Sequence, residues 1–208
     1  MKHLPNQHDF VYLASQSPRR VQLLDQLGVA HQPLLPGRNE DAEALEEARS
    51  GEAPLAYVQR VTLRKLAAAR ARLAQRRLPA APILVADTTV ALGRRILGKP
   101  ESPEQAVQML QALSGRTHRV MTAVAVGFGD MHHLATSISR VRFAALSQHS
   151  IRRYVDSGEP RGKAGAYAIQ GRIAAWIEHI EGSYSGVMGL PLHETAQLLA
   201  RVRVRLDV

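Results

Sequence analysis

Asp87 is the only acidic residue between Glu52 and Glu101, and it sits in the middle of an apolar run, PILVADTTVAL, from Pro82 to Leu92. A lone carboxylate among Val85, Ala86 and Val90 is costly to bury unless it binds a metal or is hydrogen-bonded. That isolation makes Asp87 the leading candidate for chemistry; the structural alternative is an aspartate at a strand end capping backbone amides. A second constellation is Ser15-Gln16-Ser17-Pro18-Arg19-Arg20. Ser followed by Pro suits the N-cap and first residue of a helix, so both arginines fall in the first turn, against the positive end of the helix dipole. An anion held jointly by the free N–H groups, the Ser15 and Ser17 hydroxyls and the arginine forks reverses the sign of that conflict. The alternative is two solvated surface arginines. The cationic charge is almost all arginine, with lysine only at Lys2, Lys65, Lys99 and Lys163. A compact ammonium suits contact with a phosphate oxygen, which marks these positions as candidates against a chance distribution.

The elements that must position these groups can be read along the chain. Phe10 to Ala14 is a short strand running into the helix of Val21, Leu24 and Leu27, which Gly28 stops. Glu40 to Glu52 is acidic and alanine-rich, with Ser50-Gly51 inside it, and reads as a helical excursion or a flexible insertion over 41–53, outside the core. A long amphipathic helix should run from Pro54 to about Arg77 with Leu55, Val58, Leu66 and Leu73 facing inward and Lys65 in its middle. After the Asp87 strand, Gly93 to Gly98 reads as a turn and return strand that delivers Lys99-Pro100 before a helix begun by Ser102, Pro103 and Gln105. Two antiparallel strands, His118 to Val126 and Ala135 to Phe143, precede a helix from Ser147 to Ser157. The glycine-rich EPRGKAGAYAIQG then carries Lys163 and Gln170 in a composition suited to close approach of a ligand. Trp176, Ile177 and Ile180 are expected in the core, and a last helix begins at Pro191.

At 208 residues and 45% hydrophobic content, the chain can bury one substantial core, and we expect one domain over residues 1–208 with a flexible N-terminus over 1–9. Strands alternating with helices, plus a hairpin-like pair, argue for an α/β fold with a mixed sheet flanked by helices. No long apolar run occurs and Met1 to Asp9 lacks the apolar stretch of a signal peptide, so a soluble, cytoplasmic protein without a membrane partner is expected. The absence of cysteine excludes disulfides and thiolate chemistry. A net charge of +9 points to an anionic partner. With aromatics at 4% single-strand nucleic-acid binding is a poor match, and duplex binding through phosphates stays as the rival reading. No phosphate loop, dinucleotide fingerprint, HExxH or GxSxG pattern is present.

Six blocks in order, LASQSPRR (13–20), ADTTV (86–90), GKP (98–100), LSGRTHRV (113–120), KAGAYAIQG (163–171) and GLPL (189–192), closely resemble the Maf-like nucleotide pyrophosphatases. The resemblance covers almost the whole chain and implies a twisted mixed sheet in a two-lobed, Maf/ITPase-like fold around a nucleotide cleft. It implies that Asp87 is the proton acceptor and a metal ligand, with Glu40 as a second carboxylate near Mg²⁺ or Mn²⁺. Ser15, Arg19, Arg20, Lys65 and Lys99 match its phosphate-binding positions. Arg19, Thr88 and Gln170 resemble the branch that cleaves dTTP and UTP to the monophosphate and pyrophosphate, rather than relatives acting on 7-methyl-GTP. The family is also described as inhibitors of septum formation, so a regulatory role is the alternative, and the resemblance admits a homodimer.

Overall fold

The computed structural model describes residues 7–37, 40–41 and 44–206. Residues 1–6 of the expected flexible N-terminus, and 42 and 43 of the expected insertion, lie outside them. The elements follow in the order β1 (Val11–Leu13), α1 (Pro18–Gln26), β2 (His31–Pro33), α2 (Pro54–Gln75), β3 (Ile83–Leu92), β4 (Arg95–Leu97) and α3 (Pro103–Leu113). Then come β5 (Thr117–Phe128), β6 (Met131–Phe143), α4 (Gln148–Asp156), β7 (Ile177–Glu181), α5 (Tyr184–Met188) and α6 (Leu192–Arg201). The seven strands form one sheet in the order β2-β1-β3-β5-β6-β7, with β4 also paired to β3. Pairing is parallel around β1 and antiparallel elsewhere, so the sheet is mixed, as the alternation of elements predicts.

Helix starts obey the local chemistry. Ser102 accepts a hydrogen bond from the Gln105 amide and Ser147 from that of Ser150, each satisfying a donor that the first helical turn leaves free. Pro18, Pro54 and Pro103 open their helices, where a missing N–H costs nothing. Gly28, with φ of 60°, ends the first helical segment where the spacing places it.

Strand alternation divides the core into two layers. Leu84, Ala86 and Val90 point to one face of β3 and pack with Leu24 of α1, Leu110 of α3 and Leu199 of α6. Ile83, Val85 and Ala91 point to the other, against Leu66 and Val61 of α2. The expectation for α2 holds at Val58 and Leu66, which are buried, and at Leu73, which packs at the edge of the core. Leu55 is a correction: it lies 38% exposed in the first turn, where no sheet residue covers it. Trp176, Ile177 and Ile180 are likewise only half-buried, because they lead into and form the edge strand β7 rather than the interior.

Candidate active site

One edge of β3 is continuous and the other is forked. Along the first, β5 pairs with it from Ile83↔Gly127 to Ala91↔Arg119. Along the second, β1 pairs only as far as Leu13↔Leu84, where the Ala14 amide still donates to the Leu84 carbonyl, and then turns away into α1. β4 joins only from Val90↔Leu97. Asp87 and Thr88 lie in the gap between these two partners. A parallel strand that departs from its neighbour leaves a crevice at the strand end, the usual place for a ligand in an open α/β sheet. Here the crevice is a cleft of about 410 Å³.

Asp87 shares the α2 face of β3 and is 6% exposed. Lys65, from the middle of α2, donates to Asp87 Oδ1 at 2.6 Å. The same ammonium donates to Glu46 Oε1 at 2.7 Å, and Lys99, on the connection after β4, donates to Glu46 Oε2 at 2.7 Å. The result is a chain of alternating charge, Asp87–Lys65–Glu46–Lys99, along one wall. Burial alone pushes the Glu46 carboxyl up, but Lys65 and Lys99 together hold it below its ordinary value. Tyr57 donates its hydroxyl to the Glu46 carbonyl at 2.7 Å. Burial, reinforced by Asp87 and Glu46, pushes that phenol up to about 12, so it remains a donor.

Thr88 projects to the opposite face. Its hydroxyl lies 2.9 Å from that of Thr122, its cross-strand partner, and Thr122 donates to the Gly186 carbonyl at 2.7 Å. Arg20 closes this wall: its Nη2 reaches Thr88 Oγ1 and its Nη1 reaches Ser15 Oγ, both at 3.2 Å, while Nε donates to the Gly189 carbonyl at 2.7 Å. Burial pushes the Arg20 guanidinium down; Asp87 opposes that shift and Arg19 adds to it. Arg19 is lowered by burial, and Lys163 by burial and then by the nearby Arg19. A cation that depresses its neighbour across a cleft marks a place where an anion is favoured.

The segment 163–171 is fixed from behind. The Gly165 amide donates to the Gly98 carbonyl at 3.0 Å, which ties the Lys163 loop to the Lys99 loop. Gly165 has φ of 68°, and a Cβ there would meet Val90 Cγ1 at 2.8 Å, so neither the backbone nor the packing admits a side chain. His118 and Tyr167 are both buried, with Nε2 2.7 Å from the tyrosine oxygen and both rings edge-on to Phe143. Burial holds the His118 imidazole down at about 4. Gln170 is exposed, lines the cleft and also borders a second depression beside Gln22 and Tyr184.

Of the residues expected from the sequence, Asp87, Ser15, Arg19, Arg20, Lys65, Lys99, Thr88, Lys163 and Gln170 all line this one cleft. Ser17 acts locally instead of capping α1 with its side chain: its amide donates to Ser15 Oγ. Glu40 stands apart, its carboxylate gripped by Arg72 and bonded to the Gly37 amide at 2.9 Å, which hold it down at about 2. Arg72, not Glu40, lines the cleft. Glu46 was not singled out by the sequence, since it is one glutamate among several in an acidic run. Gly189 entered the sequence reading only within the GLPL block, and its role as an anchor for Arg20 has no sequence signal.

Fold and site together define an α/β protein whose forked sheet holds the buried acid Asp87 among six cationic side chains, Arg19, Arg20, Lys65, Arg72, Lys99 and Lys163. Residues 10–202 match the family model described as Maf-like protein, and the chain belongs to that family. It is 63% identical over 191 residues to the dTTP/UTP pyrophosphatase of Polaromonas sp., covering 92% of this chain and 95% of that one. It is 61% identical to the dTTP/UTP pyrophosphatase of Albidiferax ferrireducens, over 92% and 96% of the two chains. To that of Cupriavidus pinatubonensis it is 61% identical, over 95% and 99%.

Proposed function

We propose that this protein hydrolyses dTTP and UTP to the nucleoside monophosphate and pyrophosphate, and that it does so in the cytoplasm, where those nucleotides are used. The observation that carries this reading is the placement of Asp87, an acid paired with Lys65 in the notch of β3, in one cleft with Lys99, Arg19, Arg20 and Lys163. Relatives at 57–63% identity that bear the name dTTP/UTP pyrophosphatase supply the substrate.

Water must attack the α-phosphorus without free hydroxide, so a positioned base has to take its proton. Lys65 holds Oδ1 of Asp87, which leaves Oδ2 to accept that proton. Lysine and arginine donors around the other phosphates stabilise the charge that grows on the departing pyrophosphate. Among the described residues the cleft offers carboxylate oxygens from Asp87 and Glu46 and no imidazole, a donor set that fits Mg²⁺ or Mn²⁺. Such a cation is commonly held by one or two carboxylates together with substrate phosphates and water, so Asp87 would hold it with the nucleotide itself. When bound, the cation would polarise the phosphate and acidify the attacking water. Glu40, the second carboxylate implied by the family resemblance, would have to leave Arg72 to take part.

Uracil and thymine present two carbonyl acceptors flanking one N–H, and the Gln170 amide and Thr88 hydroxyl can answer both kinds of group. Cytosine replaces one carbonyl by a donor, a mismatch worth about one to two powers of ten. The test is a panel of dTTP, UTP, CTP, purine triphosphates and 7-methyl-GTP with Mg²⁺ or Mn²⁺, resolved for pyrophosphate against orthophosphate. Cleavage of dTTP and UTP ahead of CTP, with pyrophosphate released, is the expected result. Preference for 7-methyl-GTP would overturn the substrate, and release of orthophosphate alone would overturn the reaction.

A further inference from the structure

Glu46 touches two lysines at once, and it does so in the way a phosphate would. Its Oε1 accepts from Lys65 on α2 and its Oε2 from Lys99 on the β4–α3 connection, each at 2.7 Å. Two oxygens of one small anion, shared between ammonium groups from separate elements, is also the contact that two non-bridging oxygens of a phosphate make. The carboxylate is brought in by a three-residue 3-10 turn, Ala44–Glu46, which has no buried residue of its own. What holds the turn is polar: the Tyr57 hydroxyl on the Glu46 carbonyl, Arg60 on the Glu47 carbonyl at 2.9 Å, and the Arg60–Glu52 ion pair. Segments held by polar contacts at the surface, without buried apolar area, open at low free-energy cost. Lys65 keeps Asp87 as a partner if Glu46 leaves, so the site does not strand a buried charge when the turn moves.

We propose that Glu46 is a specificity residue: its carboxylate holds a phosphate position between Lys65 and Lys99, and only a ligand carrying a polyphosphate chain displaces it. This rests on the reading of the cleft as a nucleoside triphosphate site. A single carboxylate carries one negative charge, whereas a pyrophosphate or triphosphate chain offers several anionic oxygens to the same two ammonium groups and to Arg19 and Lys163 beyond them. A monophosphate lacks the reach and charge to gain all four contacts. Glu46 thereby raises the charge that a ligand needs before it is retained, and it returns to the lysines as pyrophosphate leaves.

Calorimetric titration in a chelating buffer, free of divalent metal, tests this with inorganic pyrophosphate, UMP and a UTP analogue whose α–β bridge is a methylene group. In Glu46→Gln, pyrophosphate and the analogue should bind at least about fivefold more tightly than in the wild type, the scale of one ion-pair contact. Glu46→Ala should match it, because removal of the charge is what counts. UMP should gain proportionately more, so that discrimination between triphosphate and monophosphate narrows. Unchanged or weaker binding of pyrophosphate in both variants would overturn the proposal and make Glu46 a brace for the lysines. A loss of direct Mn²⁺ binding in Glu46→Gln, followed by the paramagnetism of the ion without nucleotide, would overturn it in favour of a metal ligand. If the wild type binds neither pyrophosphate nor the analogue even when Mg²⁺ is restored, the nucleotide reading falls and this proposal with it. Equal binding by wild type and variants removes only the role of Glu46.

Discussion

Arg20 donates its Nε to the carbonyl oxygen of Gly189 at 2.7 Å, a contact that joins the first turn of α1 to the turn between α5 and α6. The same guanidinium spans Ser15 and Thr88, so three acceptors in different directions depend on one planar fork. A lysine ammonium on a flexible stem cannot meet all three in fixed geometry. Arg20→Lys should therefore raise the KM for UTP by at least about tenfold and lower the melting temperature by about 2–4 °C, the equivalent of about 1 kcal/mol in a chain of this size. Steady-state kinetics and thermal melting check both. Arg19→Lys, at a position with no described bond to Gly189, should affect KM with no comparable change in melting.

Asp87→Asn keeps the shape of the side chain and an oxygen for Lys65 to bond, but removes the proton acceptor of the proposed reaction. Turnover should fall by at least about a hundredfold, the scale of a lost general base. Circular dichroism and urea unfolding should stay near the wild type. A folded variant with wild-type turnover would remove Asp87 from the mechanism.

His118 should make the fold sensitive to acid. Burial holds its imidazole at about 4, below the ordinary 6.5, so between those values the unfolded chain binds a proton that the folded chain does not. The folded state is therefore fully stable above about pH 6.5 and loses stability as the pH falls towards about 4. By about pH 5 the loss from this residue should be about 2 kcal/mol. Urea unfolding at several pH values should show this slope, and His118→Gln, which cannot take a proton, should flatten it. An equal slope in both proteins would assign the acid sensitivity elsewhere.

Gly165→Ala and Gly93→Ala form a matched pair. Both glycines have positive φ, 68° and 61°, but a Cβ at Gly165 would meet Val90 at 2.8 Å whereas one at Gly93 meets nothing within 4 Å. The backbone cost of about 1 kcal/mol is common to both, while only Gly165→Ala adds a core clash of about 1–3 kcal/mol. Denaturant midpoints measure the difference. Because the Gly165 amide holds the Lys163 loop against Gly98, this variant should also weaken nucleotide binding, and Gly93→Ala should not.

How far the sequence reveals this molecule depends on whether the force that acts at a residue is local. The Pro18, Pro54 and Pro103 helix starts and the Gly28 stop come from backbone sterics and capping, which neighbours in sequence determine. β3 was legible because a ten-residue apolar strand leaves no other place to go. β2 reads HQP and β7 reads IEHIE; edge strands this short carry no apolar alternation, and pairing alone makes them strands. Leu55 shows that periodicity gives the direction of a side chain and not whether anything lies opposite it. The polar residues of the cleft were visible as oddities of charge: a lone acid, arginines against a dipole, rare lysines. Glu46 was invisible because a glutamate in an acidic run is no oddity, and its bond to two lysines from distant elements exists only in three dimensions.

Asp87 and Thr88 are neighbours on one strand, yet the pleat sends them into different layers of the molecule. Lys65, Glu46 and Lys99 gather around the acid on one side, while Arg20, Thr122 and Gly189 gather around the hydroxyl on the other. A ligand that touches both must straddle the strand like a rider. The ladder to β5 runs through both positions, Asp87↔Ala123 and Thr88↔Thr122, and holds their backbone in one register. The two kinds of work can therefore evolve on separate tracks. On the proposed reading, substitutions behind Thr88 would retune which base is accepted while the acid stays where it is, and substitutions in α2 would tune the rate without rewriting what is recognised.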